Sequence, residues 1–301
     1  AEKTANRVIV AGDDDQAIFR WAGADVEQFL GLDGASEVLA TSWRIPRKVH
    51  ALAENVVSRV EGRLPKVYQP QGIEGSVQYI NGIESVLTDM AAGDWLVLGQ
   101  CNYMLEGAIN LLRSSGYLFD TKQGKGAISQ KLIDAVLCWK TLQKGERVAG
   151  SEARKMYSFL AVGHGVRRGF KALPNVEDDD EIDYNELVEA QGLMVSKDEP
   201  WPAVLTKAPE NQLVYLQAAE RRGEELSQKP RITVSTIHGA KGGEARNVVL
   251  YTDCSYAALR EAARDVAGSN DLHRTFYVGV TRTKENLFLV APESSKEAYS
   301  F

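Results

Sequence analysis

The stretch Arg231-Ile-Thr-Val-Ser-Thr-Ile-His-Gly-Ala-Lys-Gly-Gly-Glu244 decides the fold, because it runs from a short apolar segment into a glycine-rich loop. We predict a buried strand at residues 232–235 and a second strand at 247–251, after the loop. A helix over 271–280 and a last strand over 286–291 follow. Strands that alternate with helices in this way indicate a parallel α/β sheet.

The same alternation is predicted in the N-terminal part of the sequence. Pro46 opens an amphipathic stretch, and proline is favoured in the first turn of a helix. The predicted strands cover residues 8–11, 37–40, 76–80, 94–99 and 117–119, and the predicted helices cover 46–60, 83–92 and 103–115. We therefore expect one sheet that is assembled from two blocks of sequence.

Between these two blocks, the pattern changes to helices that are separated by loops. The segment from Lys122 to Gly126 is rich in glycine and lysine, and we interpret it as an exit loop. Helices are predicted over 128–142, 151–160 and 211–226, and no strand alternation is evident between them. We interpret residues 123–228 as an inserted, mostly helical subdomain.

Charge is distributed unevenly along the chain. The net charge of −6 argues against a general nucleic-acid binder. Residues 174–190, however, contain eight acidic and no basic side chains, and without them the net charge would be +2. A local basic groove elsewhere is therefore compatible with the composition. The ordinary interpretation of the acidic run is a solvated loop, and the alternative is a mobile element that faces a partner or repels DNA.

The composition also limits the class of protein. No apolar stretch is long enough to span a bilayer, and no signal peptide is visible at the N-terminus. The three cysteines are far apart and odd in number, so they predict neither a metal site nor a disulfide framework. We expect a cytoplasmic protein with no membrane partner and no metal ligands of its own.

Four short segments place polar, basic and aromatic residues beside predicted strands. They are Gly12-Asp-Asp-Asp-Gln-Ala-Ile-Phe-Arg-Trp-Ala-Gly-Ala24, Thr41-Ser-Trp-Arg44, Val234-Ser-Thr-Ile-His-Gly-Ala-Lys-Gly-Gly-Glu244 and Phe276-Tyr-Val-Gly-Val-Thr-Arg-Thr-Lys-Glu285. A glycine-containing loop after a strand can expose backbone N–H groups to phosphate oxygens. Aromatic rings offer faces on which bases stack, for about 1–3 kcal/mol each. Taken singly, each segment also fits an ordinary turn with packed rings and surface charges.

In this order, the four segments resemble motifs III, IV, V and VI of the UvrD/Rep-type DNA helicases of superfamily 1. Together with the strand–helix–strand pattern of residues 94–117, the matches cover about 8–122 and 228–291. The resemblance implies a RecA-like sheet domain and a helicase that is driven by ATP and translocates on single-stranded DNA. The wording of motifs III and VI favours the 3′→5′ branch of the family.

The resemblance also implies roles for eleven residues. The catalytic groups at the γ-phosphate would be Gln16, Arg44 and Arg282, with Arg282 as the arginine finger. The remaining ATP contacts would be made by Trp43, Lys241, Gly242 and Glu244, and the contacts to DNA by Phe19, Trp21, Thr236 and His238. The chain departs from the family at Ala22, where an arginine is usual and for which Arg20 is a candidate substitute. Trp43 also replaces a tyrosine that stacks on adenine, and either ring offers a face.

Two motifs of such a motor are absent from the sequence. Neither the phosphate-binding string Gly-x-x-x-x-Gly-Lys-Ser/Thr nor a separate Asp-Glu-x-x-Asp string occurs. We therefore expect residues 1–30 to be a remnant of a first RecA-like domain, 31–122 and 229–301 to form the second, and 123–228 to occupy the position of the family's 2B subdomain. ATP and Mg²⁺ would act in the complete enzyme, with none bound tightly by this chain alone, which we expect to be inactive.

Two functions remain open from the sequence. In the first, the chain works with single-stranded DNA and with an N-terminal motor domain that belongs to the same protein or to a separate chain. In the second, it is a non-enzymatic helicase-like module that binds single-stranded DNA or a protein partner. The retention of Gln16, Arg44, Glu244 and Arg282 favours the motor, because a decayed ATP site has little reason to keep four polar contacts.

Overall fold

The computed structural model describes residues 8–121 and 128–301. The predicted exit loop from Lys122 to Gly126 lies outside these described residues. The contacts between residues divide the chain into two compact units. Residues 8–110, 119–121 and 231–301 form one, which we call the sheet unit, and residues 111–118 and 128–230 form the other, which we call the helical unit. The three predicted domain assignments, including the remnant at 1–30, stay predictions.

A parallel sheet of six strands forms the centre of the sheet unit. Its strands are β1 (Ser76–Ile80), β2 (Trp95–Gly99), β3 (Phe119–Thr121), β6 (Ile232–Thr236), β7 (Ala245–Tyr251) and β8 (Thr283–Val290), and the helical unit contains β4 (Val148–Ala149) and β5 (Glu181–Ile182). The strand order is β1-β8-β7-β2-β6-β3, and every neighbouring pair is parallel. Strand β2 is buried along its whole length, as a central parallel strand should be. The predicted parallel α/β fold is therefore confirmed.

The helices account for most of the remaining secondary structure. They are α1 (Val26–Leu30), α2 (Arg47–Val57), α3 (Glu106–Ser114), α4 (Gln130–Lys144), α5 (Gly150–Tyr157), α6 (Tyr184–Glu189), α7 (Trp201–Val204), α8 (Glu210–Arg222), α9 (Tyr256–Arg264) and α10 (Val266–Val280). Pro46 caps α2, whose buried residues Val49, Ala53, Val56 and Val57 share one face and join the core of the sheet unit. Helix α10 begins five residues before the prediction, at the Asp265 cap, and α9 was not predicted.

Two predicted strands are wrong. Residues 8–11 form no strand, and Ile9 is 76% exposed. Residues 37–40 form no strand either, and only the neighbouring Thr41 makes a single bridge, to Gln69. A strand needs a partner for its backbone as well as an apolar sequence, and no described strand pairs with either segment. The predicted helix at 83–92 is instead two 3₁₀ turns, Ile83–Val86 and Asp89–Ala91. The weaker helix formers Ser85, Val86, Thr88 and Asp89 lie in the middle of this stretch.

The helical unit has a core of its own. Trp139 and Leu142 of α4 pack with Met156 and Tyr157 of α5, and all four side chains are fully buried. The antiparallel pair of β4 and β5 is only two residues long, which explains why no strand alternation was visible in the sequence.

The acidic run is more ordered than a solvated loop. Asp183 and Glu186 form a reciprocal capping box that begins α6. Arg147 binds both of these carboxylates, and Arg154 binds Asp178. The loop interpretation is therefore wrong for the residues of β5 and α6, while a role towards a partner stays a prediction. In the part of the chain that the structure describes, no helix is long and apolar enough to span a membrane.

Candidate functional site

Gln16 is the point where three distant segments of the sheet unit meet. It ends a 3₁₀ turn, Asp14–Gln16, which Asp13 caps. Its side-chain Nε2 donates to Asp13 Oδ2 at 2.5 Å, and its Oε1 accepts from Arg282 Nη2 at 3.1 Å. Its backbone oxygen accepts from Lys241 Nζ at 2.8 Å. The structure thus brings together three residues that the sequence assigned to the nucleotide site.

Arg282 follows Thr281, the C-cap of α10, and is only 1% exposed. Its Nε donates to the Val278 carbonyl at 2.9 Å, and its Nη1 donates to the Gly243 carbonyl at 3.4 Å. Burial lowers the pKa of Arg282 to about 10, and the positive charge of Arg44 acts in the same direction. The guanidinium is still protonated at neutral pH. It therefore holds a concentrated positive charge in a site from which water is largely excluded.

Arg44 and Glu244 form the second part of the site. Arg44 Nη1 lies 3.6 Å from Glu244 Oε2, and Lys284 Nζ donates to Glu244 Oε1 at 2.9 Å. The hydrogen bond from Lys284 lowers the pKa of Glu244, and the charges of Lys284 and Arg44 add to this. The Nε of Arg44 is buried and has no hydrogen-bond partner among the described residues. Arg44, Lys241, Arg282 and Lys284 therefore bring four positive charges to one region of the sheet unit.

Two predicted ATP contacts lie at the surface. Trp43 is 87% exposed and makes no ring contact with another described residue. Gly242 is exposed and has a φ of 84°, in the left-handed region that glycine adopts without strain. The structure therefore brings neither residue into the hydrogen-bonded cluster around Gln16. Both positions remain accessible to a ligand.

Three of the four predicted DNA contacts form an aromatic cluster. The ring centroids of Phe19 and Trp21 are 6.0 Å apart, and that of His238 is 5.8 Å from Phe19 and 6.3 Å from Trp21. Trp21 is 76% exposed. Lys241 Nζ lies 5.3 Å from the centroid of the Phe19 ring, within the range of a cation–π interaction. Lys241 therefore contacts both the aromatic cluster and Gln16.

The other residues around this cluster have structural partners. Burial lowers the pKa of His238 and so favours the neutral ring. The fourth predicted DNA contact, Thr236, is buried, and its hydroxyl accepts from the Gly239 N–H at 3.1 Å, which shapes the loop after β6. Arg20, the candidate substitute for an arginine at position 22, donates to Asp271 on α10 at 2.6 Å. Thr236 and Arg20 thus stabilise the loops that carry the rings.

Sequence reasoning missed the cations that hold the aspartate run. Lys66 Nζ lies 3.0 Å from a carboxylate oxygen of Asp13 and of Asp15, and it also binds Asp14. Arg63 donates to both carboxylate oxygens of Asp15, from Nε at 2.8 Å and from Nη2 at 2.6 Å. Three adjacent aspartates at a partly buried turn require cationic partners. The aspartate run therefore predicts that cations lie nearby. The sequence alone does not say which cations these are.

The chemistry of the site suits a polyphosphate better than a metal ion. Four cations and the unpartnered Nε of Arg44 offer donors to an anion. The three aspartates are engaged by Lys66, Arg63 and Gln16. Within residues 8–121 and 128–301, no group of three or more histidine, cysteine, aspartate or glutamate side chains is arranged to hold a metal ion. The residues present therefore offer positive charge and hydrogen-bond donors to a phosphate group.

Comparison with known families gives one match. Residues 203–294 match the family model described as the UvrD-like helicase C-terminal domain. No curated protein matches the chain. The matched range contains the loop from Thr236 to Glu244 and also Arg282. Gln16 and Arg44 lie outside this range, and it is their contacts with Arg282 and Glu244 that join them to it.

Proposed function

We propose that this chain, which contains the C-terminal portion of a UvrD-like helicase, supplies the arginine-bearing side of an ATP-driven motor that moves on single-stranded DNA. The observation that carries the proposal is the hydrogen bond between Arg282 Nη2 and Gln16 Oε1, which joins residues 266 positions apart. Arg44 and Lys241 meet the same region from two further segments. Positive charges from separate segments repel one another when they are close. Their convergence here is therefore expected of a site that binds an anion.

ATP, when bound, supplies the phosphoryl group whose hydrolysis releases the energy for movement. Within this chain, Arg282 and Arg44 provide positive charge for the γ-phosphate, and Gln16 provides an amide that can orient a water or a phosphate oxygen. Lys241, Gly242 and Glu244 line the rest of the nucleotide site, and the exposed ring of Trp43 offers a stacking face for adenine. A protein segment with a phosphate-binding loop would hold Mg²⁺ and the remaining phosphates.

The aromatic cluster provides the DNA contact in this proposal. Phe19, Trp21 and His238 present rings on which bases of any sequence can stack. Lys241 contacts both the Phe19 ring and the backbone of Gln16, so the DNA contact and the nucleotide contact share one side chain. By its resemblance to the family, the direction of movement is 3′→5′.

Two measurements test the proposal. The chain alone should bind a fluorescein-labelled oligothymidine, as measured by fluorescence anisotropy, and should hydrolyse ATP slowly or not at all. The motor assembled with the polypeptide that carries the phosphate loop should show ATPase activity that single-stranded DNA stimulates and that Arg282→Ala abolishes. Robust turnover by the chain alone, or an assembled ATPase that is indifferent to Arg282, would overturn the proposal.

A second candidate is a single-strand-binding module without ATPase activity. One observation favours it: Arg282 is almost fully buried and already donates to Val278, Gly243, Gln16 and Thr281. The two candidates agree on DNA binding and differ on hydrolysis. A DNA-stimulated ATPase in the assembled protein supports the motor, and its absence with DNA binding intact supports the module.

A further inference from the structure

A buried lysine outside all four motif-like segments is connected to the candidate nucleotide site. The Lys66 side chain is 7% exposed and lies among the carboxylates of Asp13, Asp14 and Asp15. An ammonium group has three N–H donors, so each donor can face one of the three aspartates. Burial opposes the charge on Lys66, but the contacts with Asp14, Asp13 and Asp15 outweigh it and raise its pKa. Lys66 is therefore a permanent cation in the folded protein.

Asp13 links this lysine to Gln16. One of its carboxylate oxygens, Oδ1, accepts from Lys66 Nζ at 3.0 Å and from the Asp15 N–H at 3.1 Å. The other, Oδ2, accepts from Gln16 Nε2 at 2.5 Å. The carboxylate is thus held on one side by Lys66 and on the other by the amide of Gln16.

The contact with Asp13 determines which way the Gln16 amide points. The amide has donors only on nitrogen and acceptors only on oxygen. With its nitrogen towards the Asp13 carboxylate, its oxygen faces Arg282, which can only donate. A flipped amide would oppose two acceptors at Asp13 and two donors at Arg282. Only one orientation therefore satisfies both neighbours.

We propose that Lys66 is a positioning residue for Gln16 and acts through the carboxylate of Asp13. Lys66 holds the Asp13 carboxylate in place, Asp13 orients the Gln16 amide, and Gln16 presents its oxygen to Arg282. This inference rests on the proposed function for its consequence in hydrolysis, but the geometry of the Lys66–Asp13–Gln16 chain can be tested without it.

The chain offers a matched control for this proposal. Arg63, like Lys66, pairs with the aspartates of the turn: it binds Asp15 and has no hydrogen bond or ion pair with Asp13 among the described contacts. Arg63→Met and Lys66→Met each remove one cation that pairs with these aspartates, and only the second removes a partner of Asp13. Asp13→Asn is a milder variant, since it buries no uncompensated charge. If the oxygen of the new amide accepts from Lys66, its NH₂ group faces the NH₂ group of Gln16, and two donors then oppose each other.

The first experiment is nuclear magnetic resonance on the full chain. The side-chain NH₂ signals of Gln16 are assigned by their loss in Gln16→Ala. In the parent chain they should be shifted from those of a free glutamine and protected from exchange with water. Asp13→Asn and Lys66→Met should move them to free-glutamine values, and Arg63→Met should leave them in place. Equal effects of Asp13→Asn and Arg63→Met, or no effect of either, would overturn the proposal.

The second experiment measures DNA-stimulated ATPase activity in the assembled motor. Asp13→Asn and Lys66→Met should lower kcat by on the order of 10²-fold, as a misplaced catalytic group does, with a much smaller change in the KM for ATP. Lys66→Arg should retain much of kcat, because it keeps a positive charge beside Asp13. A parallel Arg282→Ala measurement separates the two ideas. If Arg282→Ala leaves turnover intact, the proposed function fails, and the resonance data still decide whether Lys66 positions Gln16.

Discussion

Two clusters of the sheet unit differ in how far their groups already have partners. The ionic cluster comprises Gln16 and the charges bonded around it, together with the aspartates that Lys66 and Arg63 bind. The aromatic cluster comprises Phe19, Trp21 and His238. Around Gln16, the guanidinium of Arg282 is buried and bonded within the chain, and Arg44 and Lys284 share Glu244. Around Trp21, the rings contact one another at their edges and leave most of the indole exposed. The ionic cluster is closed by its own partners, whereas the aromatic cluster is open to a ligand.

This difference determines how each cluster should respond to change. In the ionic cluster most groups have a partner, the buried Nε of Arg44 being an exception. Removing one group therefore leaves another unpaired, and the effects of two changes do not add. In an open cluster each ring contributes its own stacking surface, and a single change costs about one stacking contact. A ligand at the ionic cluster must also displace existing bonds, which a base that stacks on Trp21 does not need to do.

The largest expected effect is on ATP turnover by variants of the closed network. In the proposed motor, Arg282→Ala should lower kcat by about 10³–10⁵-fold, which is the effect that the proposed arginine-finger role predicts. Because Gln16 is bonded to Arg282, Gln16→Ala combined with Arg282→Ala should cost little more than Arg282→Ala alone. Steady-state ATPase rates of the four proteins in this cycle measure the coupling. Independent, additive losses would show that the two groups do not act as a unit.

The next effect concerns stability. Lys66→Met should destabilise the sheet unit by about 3–5 kcal/mol, because it leaves the buried carboxylates of Asp14 and Asp15 short of a cation. Lys48→Met, which changes an exposed lysine of the sheet unit outside both clusters, should stay within about 0.5 kcal/mol. Hydrogen exchange of the β7 backbone amides measures the opening free energy of this unit directly. Similar losses of stability for the two variants would mean that Lys66 contributes no more to the sheet unit than an exposed lysine does.

A third effect tests the open cluster. Trp21→Ala should weaken binding of oligothymidine by about 1–3 kcal/mol, or roughly 5–150-fold, with little change in stability because the ring is exposed. Tyr79→Ala is a matched control, since Tyr79 is also an exposed ring of the sheet unit, on β1. Anisotropy titrations at fixed salt compare the two variants. An equal loss of affinity for both variants would show that the aromatic cluster does not contact the DNA specifically.

The sequence was informative where local pattern determines structure. The strands from Trp95 to Gly99 and from Ile232 to Thr236 were predicted because short apolar runs with flanking loops are typical of buried parallel strands. The segment at residues 8–11 has the same pattern and forms no strand, because strand formation also depends on a partner that the pattern does not contain. Local pattern therefore identifies candidate strands, and pairing decides which of them form.

Contacts across the ionic cluster, like strand pairing, join segments that are distant in sequence, so local pattern does not predict them. The resemblance to helicase motifs suggests that Gln16, Arg44 and Arg282 serve one site. The structure adds a hydrogen bond between Gln16 and Arg282 and an ion pair between Arg44 and Glu244. Lys66 could not be assigned in this way. Its partners lie some fifty residues away in sequence, and nothing in the string Arg-Leu-Pro-Lys around it distinguishes a buried cation from a surface one.

The smallest expected effect is a pH dependence that comes from the aromatic cluster. Burial lowers the pKa of His238 in the folded protein below the value of about 6.5 for an unfolded chain. On acidification the unfolded chain therefore takes up this proton first. The stability contributed by neutral His238 is complete above pH 6.5 and is lost as the pH falls through the lowered value.

Thermal unfolding midpoints between pH 8 and pH 5 measure this loss. His273 has a pKa lowered by burial and by the charge of Arg59, so it adds to the same slope. His238→Gln should flatten the pH dependence in part, and a further His273→Gln should flatten most of the rest. The carboxylates contribute at lower pH, because the pKa of Asp14 lies below its ordinary value. An unchanged slope in His238→Gln would show that this ring is not held neutral by its neighbours, and that the aromatic cluster is more solvated than the contacts of Phe19 and Trp21 indicate.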